Sequence, residues 1–342
     1  MRPGAPGPRE RRLFHVNRTL YRAAAPAALL LFGLTACGGA NEAEVDGPGA
    51  TSGSDDGASA LSGEVLIDGS STVQPLSAAA GELFKEVESG VNVSVATSGT
   101  GGGFEVFCQG TTDISNASRP IKDEEAAACE EAGVEFTELR VATDALTVVV
   151  SQENDFISCL TTDELGTLWN PEAEGTVMTW DQVNPAFPSE PIELYGPGTD
   201  SGTFDYFTEE IGGDTGVSRT DFNASEDDNV IVQGVQGSAN ALGYFGFTYF
   251  EENAETLKAV EVDSGEGCVA PSAETAADGS YSPLARPLFI YVNNASFADK
   301  AHVAEFVKFY AENNATIAEA GQYIPLNDEE SAALVDAAAS IG

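Results

Sequence analysis

Histidine is almost absent from this chain. His15 and His302 are the two present, too few to ligate a metal through several imidazoles. One of them could serve a Ser-His-Asp arrangement, but no G-x-S-x-G elbow accompanies it. C-x-x-C spacing is also missing, which removes the commonest thiolate zinc site. Positive charge is scarce, with 15 Lys and Arg against 55 Asp and Glu. Six of those bases (Arg2, Arg9, Arg11, Arg12, Arg18 and Arg22) fall in the first 22 residues beside a single acid, Glu10. From Cys37 onward nine bases therefore face 54 acids, a formal charge of −45. Such a surface repels nucleic acid and anionic lipid, and it suits a soluble protein in a salty exterior, where screening weakens self-repulsion. Asp200-Ser201-Gly202 and Asp214-Thr215-Gly216 match the D-[ST]-G of two-lobed aspartic proteases, but 14 residues separate them, too few to give each lobe its own aspartate. No enzyme is expected.

The N-terminus reads as an export signal over residues 1–36: arginines, then an apolar run from Ala23 to Leu34 that is too short for an ordinary transmembrane helix. Leu34-Thr35-Ala36-Cys37 resembles a lipobox, which makes Cys37 the lipidated first residue of the mature chain and places the protein outside the cell, anchored to the outer face of the cell membrane. Arg11-Arg12-Leu13-Phe14 also resembles a twin-arginine motif. Residues 37–62 are expected to form a flexible tether. After Cys37 they hold six glycines, four serines and five acids, with no Lys or Arg, and a coil of this length spans roughly 25–30 Å. Four further cysteines, Cys108, Cys129, Cys159 and Cys268, make an even number in an exported chain and point to two disulfides. Of the three possible pairings, Cys108–Cys129 with Cys159–Cys268 is favoured, because the first closes a local helix-to-helix segment.

From Gly63 the pattern alternates strand, glycine loop and helix. Glu64–Asp68 reads as a buried strand, and a helical face of Leu76, Ala80, Leu83, Phe84 and Val87 follows Pro75. Val91, Val93 and Val95 alternate as in a strand, and a helix is expected from about Phe104. Further elements are a helix over Lys122–Glu131, a strand over Ala145–Ser151, a helix from Thr161 with a Thr161/Glu164 capping box, a strand at Ile192–Tyr195, a helix-then-strand unit over Asn229–Gly246, a return strand over Arg286–Asn293, and one long helix over Ala301–Glu319. This is the grammar of a parallel α/β sheet, whose ligands gather at the loops leaving the strands.

Three such loops carry small and hydroxylated residues: D-G-S-S-T-V at 68–73, S-G-T-G-G-G-F at 98–104, and G-P-G-T-D-S-G-T-F at 196–204. Each leads into a helix-like run. Glycine lets the backbone approach a ligand, and N–H groups at a helix start lack intrahelical partners and face outward, so each loop can cradle an oxyanion.

Taken with D-I-S-N-A-S-R-P-I at 113–121, and in this order behind a lipobox, these motifs closely resemble the phosphate-binding lipoprotein of bacterial phosphate-specific ABC transporters, over roughly residues 63–342. The resemblance implies a two-lobed periplasmic-binding-protein fold of type II. Each lobe would be a mainly parallel sheet flanked by helices, with crossover strands as the hinge. Residues 63–144 and 285–342 would form lobe 1 and residues 145–284 lobe 2. It further implies phosphate bound in the interlobe cleft of a monomer and delivered to a membrane permease, with no cofactor, metal or nucleic acid. Matched onto this chain, the ligand residues are Ser71, Thr72, Val73, Ser98, Thr100, Gly101, Ser201, Gly202 and Thr203.

Two positions depart from the family pattern. Pro197 stands where many members carry an arginine, and Arg119 where they carry an aspartate. Arg119 is expected to supply from the first lobe the guanidinium that the second lacks, since a planar fork suits a tetrahedral oxyanion. The lost aspartate bears on selectivity, because a buried carboxylate accepts the proton of phosphate and repels fully ionised sulfate. Asp200 and Asp113 are the substitutes considered, although each reads more simply as a cap or turn residue. The alternatives are a broader sulfate- or molybdate-like oxyanion binder, and a phosphate sensor or adhesion lipoprotein without transport.

Overall fold

The computed structural model describes residues 61–199 and 201–342. The export signal, Cys37, most of the tether and Asp200 lie outside the described residues. Strand β1 (Gly63–Gly69) turns Val65 and Ile67 inward and passes through the first glycine loop into α1 (Gln74–Val87). Pro75 opens that helix; of the expected face Leu76, Ala80 and Phe84 are buried and Leu83 is half-buried, whereas Val87, in the last turn where the helix leaves the core, is exposed. After β2 (Val91–Val95), helix α2 (Gly99–Phe107) begins five residues earlier than expected, so the second glycine loop is itself the first turn of the helix. Glycines weaken a helix interior, but here they permit contact: a Cβ on Gly103 would stand 2.5 Å from the Cα of Gly69.

β3 (Ile114–Ala117) and α3 (Asp123–Ala132) lead to β4 (Phe136–Ser151), which is far longer than the expected Ala145–Ser151 segment. Arg140, Thr143 and Asp144 interrupt its apolar pattern, yet the strand is buried continuously from Val141 onward. β5 (Cys159–Thr161) runs into α4 (Thr162–Trp169), whose capping box forms as expected: Glu164 N–H donates to Thr161 Oγ1 at 3.1 Å and Thr161 N–H to Glu164 Oε2 at 2.8 Å. Beyond an irregular stretch come β6 (Glu193–Gly196), α5 (Gly202–Phe207), β7 (Asn223–Ala224), α6 (Asp228–Gln236), β8 (Ala241–Gly246) and α7 (Phe247–Asn253). β9 (Leu257–Ala259), β10 (Glu261–Asp263), β11 (Cys268–Val269) and α8 (Ala273–Ala277) precede the return strand β12 (Ala285–Asn293) and α9 (Asn294–Asp299). The single terminal helix of the sequence reading is two, α10 (Ala301–Glu312) and α11 (Asn314–Ala320), and α12 (Asp328–Ala339) was not anticipated. The break falls at Asn313–Asn314, where Asn313 Nδ2 donates to Phe309 O at 2.8 Å and buried Asn314 Nδ2 to Val141 O at 2.6 Å, tying the chain to β4.

A nine-stranded sheet runs β2-β1-β3-β12-β4-β8-β6-β7, with β9 also on β4, and β11-β10-β5 form a second, smaller sheet. β1 pairs in parallel with β2 and β3, and β6 with β7 and β8. The long strands β4 and β12 are antiparallel to each other and join the two parallel groups, so the sheet as a whole is mixed. Two large apolar clusters form. One draws on residues from Val65 to Ala142 and from Leu288 to Ile341, the other on residues from Leu146 to Leu284. Both favoured disulfides are present, Cys108–Cys129 and Cys159–Cys268. Among the described residues no helix is long and apolar enough to cross a membrane.

Candidate functional site

The three hydroxyl-rich loops meet at one cavity of about 450 Å³. Ser70, Ser71 and Thr72 reach it from the turn before α1, Gly99, Thr100 and Gly101 from the start of α2, and Gly202 from the start of α5. The loops are locked to one another. Asp68 accepts from Gly69 N–H at 2.7 Å and from Ser98 N–H at 3.0 Å, which joins the first loop to the second. Thr100 Oγ1 accepts from Ser118 N–H at 3.2 Å, which joins the second to the D-I-S-N-A-S-R-P segment. The third loop comes close to the first: a Cβ on Gly202 would lie 3.4 Å from Thr72 Oγ1, in ordinary van der Waals contact.

Of the residues expected at the site, Ser71, Thr72, Thr100, Gly101, Arg119 and Gly202 line the cavity. Val73, Ser98, Ser201 and Thr203 do not, and their N–H groups are engaged within the scaffold. Val73 N–H donates to Ser70 O at 3.2 Å, Ser98 N–H to Asp68, Ser201 N–H to Gly198 O at 3.2 Å, and Thr203 N–H to Ser201 Oγ at 3.2 Å. Ser201 is thus the N-cap of α5, and these four hold the loops in shape.

The charged wall differs from the sequence reading. Arg119 stands at the cavity but is forked onto Glu125, with Nη1 to Oε2 at 2.8 Å and Nη2 to Oε1 at 2.7 Å. That bond raises the Arg119 pKa. Burial works against the Glu125 charge, yet the bonds from Arg119 and from Lys122 N–H prevail and hold its carboxyl below the usual range.

Arg286, read beforehand only as the start of a strand, also faces the cavity. It lies on β12 directly opposite Asp144 of β4. Its Nε donates to Asp144 Oδ2 at 3.3 Å and its Nη2 to Thr72 Oγ1 at 3.0 Å, while the guanidinium lies 3.5 Å over the Tyr206 ring. The two side chains are 14% and 9% exposed. Burial pushes the Asp144 carboxyl above its ordinary value despite the opposing pull of Arg286. A charge inside a doubly covered strand is costly unless it is partnered, and that was the sequence signal available for both residues.

Asp205, Glu209 and Glu210 also line the cavity. Burial, then the neighbouring charge of Glu209, raises both Asp205 and Glu210. Asp113, considered as a substitute carboxylate, is buried elsewhere, where it accepts from Leu66 N–H at 2.9 Å and from Lys300 Nζ at 2.6 Å.

A family model described as a PBP superfamily domain matches residues 51–314. The protein SphX of Synechocystis is 47% identical over 317 residues, 93% of this chain and 88% of that protein. The phosphate-binding protein PstS of Staphylococcus saprophyticus is 42% identical over 298 residues, 86% of this chain and 89% of that protein. Among solved structures, that of a possible phosphate binding protein from Planctomyces limnophilus is 43% identical, with a TM-score of 0.78 over 82% of this chain and 99% of that one.

Proposed function

Because the chain belongs to the PBP superfamily, in the family of PstS and SphX, we propose that it captures inorganic phosphate in this cavity and delivers it to the permease of an ABC transporter. The observation that carries the reading is the convergence of three Gly/Ser/Thr loops on one cavity that also holds the Arg286 guanidinium. The first N–H groups of α2, at Thr100 and Gly101, have no intrahelical partner and can turn to an anion, as can the wall hydroxyls of Ser71 and Thr72.

Arg286 is the stronger of the two guanidinium candidates. Arg119 is largely neutralised by its fork on Glu125, whereas the Arg286–Asp144 contact is a single long bond. In this reading Ser71, Thr72, Thr100, Gly101, Gly202 and Arg286 contact the anion, and Arg119 sits at the rim. Ser201 and Thr203 shape the third loop, Val73 and Ser98 the first two. Residues 63–144 with 285–342 form one lobe, residues 145–284 the other, and β4 and β12 the hinge about which a monomer closes. Export with a lipid on Cys37 completes the assignment.

Calorimetric titration of the anion-stripped protein with phosphate and then sulfate tests it. Micromolar or tighter phosphate binding without a sulfate response is expected. An equal response to both anions would establish a general oxyanion binder instead, and no heat with either would refute the capture of phosphate. The site is read as binding without chemistry, and turnover of p-nitrophenyl phosphate would overturn that.

A further inference from the structure

Arg119 and Arg286 stand at the same cavity and meet opposite fates. Arg119 is captured by Glu125 through both Nη groups, and the ring beside it, Phe104, has its centroid 5.9 Å from the guanidinium carbon. Arg286 stands among acids as well. Its charge bears on Asp205 and Glu210 of the cavity wall, whose carboxyls it pulls down against burial. Yet among the described residues it pairs with Asp144 alone, through Nε. A long, flexible cation in an acidic cleft stays available to a ligand only if something holds it without neutralising it.

Tyr206 of α5, which also lines the cavity, is placed to do this. The guanidinium carbon of Arg286 lies 3.5 Å from the centroid of its ring. That is van der Waals contact, so the guanidinium lies flat on the ring; stood on edge, it would press a nitrogen inside contact distance. A flat guanidinium gives its face to the π cloud and turns every N–H sideways. Nε donates to Asp144 Oδ2 and one Nη2 proton goes to Thr72 Oγ1, and the remaining edge is left for a ligand. The ring thus holds the cation without consuming a donor, whereas Glu125 consumes two at Arg119.

The platform is itself fixed. Tyr206 is 1% exposed, and its hydroxyl donates at 2.6 Å to the carbonyl of Pro283, three residues before Arg286. Ring and guanidinium are therefore registered to the same stretch of chain. With Pro197 in the third motif, neither that loop nor α5 brings a cation to the cavity. α5 brings the surface on which a cation from β12 rests.

Resting on the phosphate reading, we infer that Tyr206 is the positioning residue of the site: its ring holds the Arg286 guanidinium flat, with the free edge toward the anion, and keeps it from capture by Asp205 and Glu210.

The test is calorimetric titration of anion-stripped protein with phosphate. It compares the wild type, Tyr206→Phe, Tyr206→Leu and proteins carrying trifluoro- or pentafluorophenylalanine at position 206, each with its urea midpoint. Fluorine depletes the π cloud and leaves the ring nearly the same shape, so it weakens the stack without emptying the space. Tyr206→Phe keeps the ring, loses only the bond to Pro283, and should bind within about threefold of the wild type. Affinity should then fall stepwise with fluorination, reaching about tenfold in the pentafluoro protein, and by about tenfold or more in Tyr206→Leu, because a freed guanidinium must be immobilised again when the anion arrives. Fluorinated proteins that bind as tightly as Tyr206→Phe would overturn the inference and leave Tyr206 as a packing residue. Where Tyr206→Leu fails to fold, the fluorinated series decides alone. A wild type that binds no phosphate would refute the function itself, so the two failures are distinguishable.

Discussion

Replacing Arg286 should harm phosphate binding far more than replacing Arg119. Arg286 commits Nε to Asp144 and one Nη2 proton to Thr72, which leaves Nη1 and the second Nη2 proton for a ligand in the cavity it lines. Two charge-assisted bonds at about 1.5–3 kcal/mol each amount to about 3–6 kcal/mol, a loss of about 10²–10⁴-fold in affinity. Arg286→Ala also strips Asp144 of its counter-charge, which adds repulsion to the lost contacts. Arg119 spends both Nη groups on Glu125 and is 32% exposed, so Arg119→Ala removes a rim pair worth about 1 kcal/mol or less, a loss under about tenfold.

The assay is titration calorimetry on anion-stripped protein, with circular dichroism to establish that each variant is folded. Removing one partner of a buried pair can cost about 3–5 kcal/mol of stability, so Arg286→Lys belongs in the series. It keeps the positive charge and loses the fork, and should bind with intermediate affinity. If folded Arg119→Ala loses as much affinity as the Arg286 variants, the assignment of the guanidinium to the hinge is wrong.

Three further outcomes are expected. Cys159–Cys268 spans 109 residues and Cys108–Cys129 spans 21, so loop entropy predicts losses of about 5 and about 3 kcal/mol for the two Cys-to-Ser pairs; urea midpoints in the reverse order would refute this ranking. Gly103→Ala puts a Cβ 2.5 Å from Gly69 Cα and lifts α2 from β1, costing about 2 kcal/mol or more by thermal unfolding, whereas Gly101→Ala meets nothing nearer than 3.9 Å and should fold normally. Burial, with Asp227 and Glu226 beside it, raises Asp228 to about 6; since its folded value lies above the unfolded one, the stability it contributes is fully present below the unfolded value and is lost as pH rises through about 6, so Asp228→Asn should gain about 1–2 kcal/mol over the wild type at about pH 8 after allowance for screening, and almost nothing at about pH 3.

The loops and the hinge differ sharply in how far they could be read ahead. Gly-Ser-Thr runs before helices are local devices, decided by a few neighbouring residues, and six of the expected contact residues do line the cavity. The Thr161/Glu164 capping box is equally local. Arg286 and Asp144 are 142 residues apart and become partners only through the antiparallel register of β4 and β12. Their charges instead looked like the edges of strands, which is why β4 was read as less than half its length. Arg119 drew attention as the one arginine inside a recognised motif, while its capture by Glu125 depends on how α3 folds back over that segment.

The acidity of the chain sharpens what this arrangement must accomplish. Glu125 neutralises Arg119 and Asp144 partly neutralises Arg286, while Asp205, Glu209 and Glu210 face the same cavity. Net positive charge therefore cannot be what draws an anion in. What remains are Lys122 on the cavity wall and aimed groups, namely the N–H groups at the start of α2, the hydroxyls of Ser71 and Thr72, and two guanidinium edges held in place by their carboxylates. Such groups bind strongly only when every oxygen of the ligand meets a donor and every acceptor meets a proton. In a cleft built this way, the match between each ligand oxygen and an aimed donor has to carry the selection, which net charge alone could not provide.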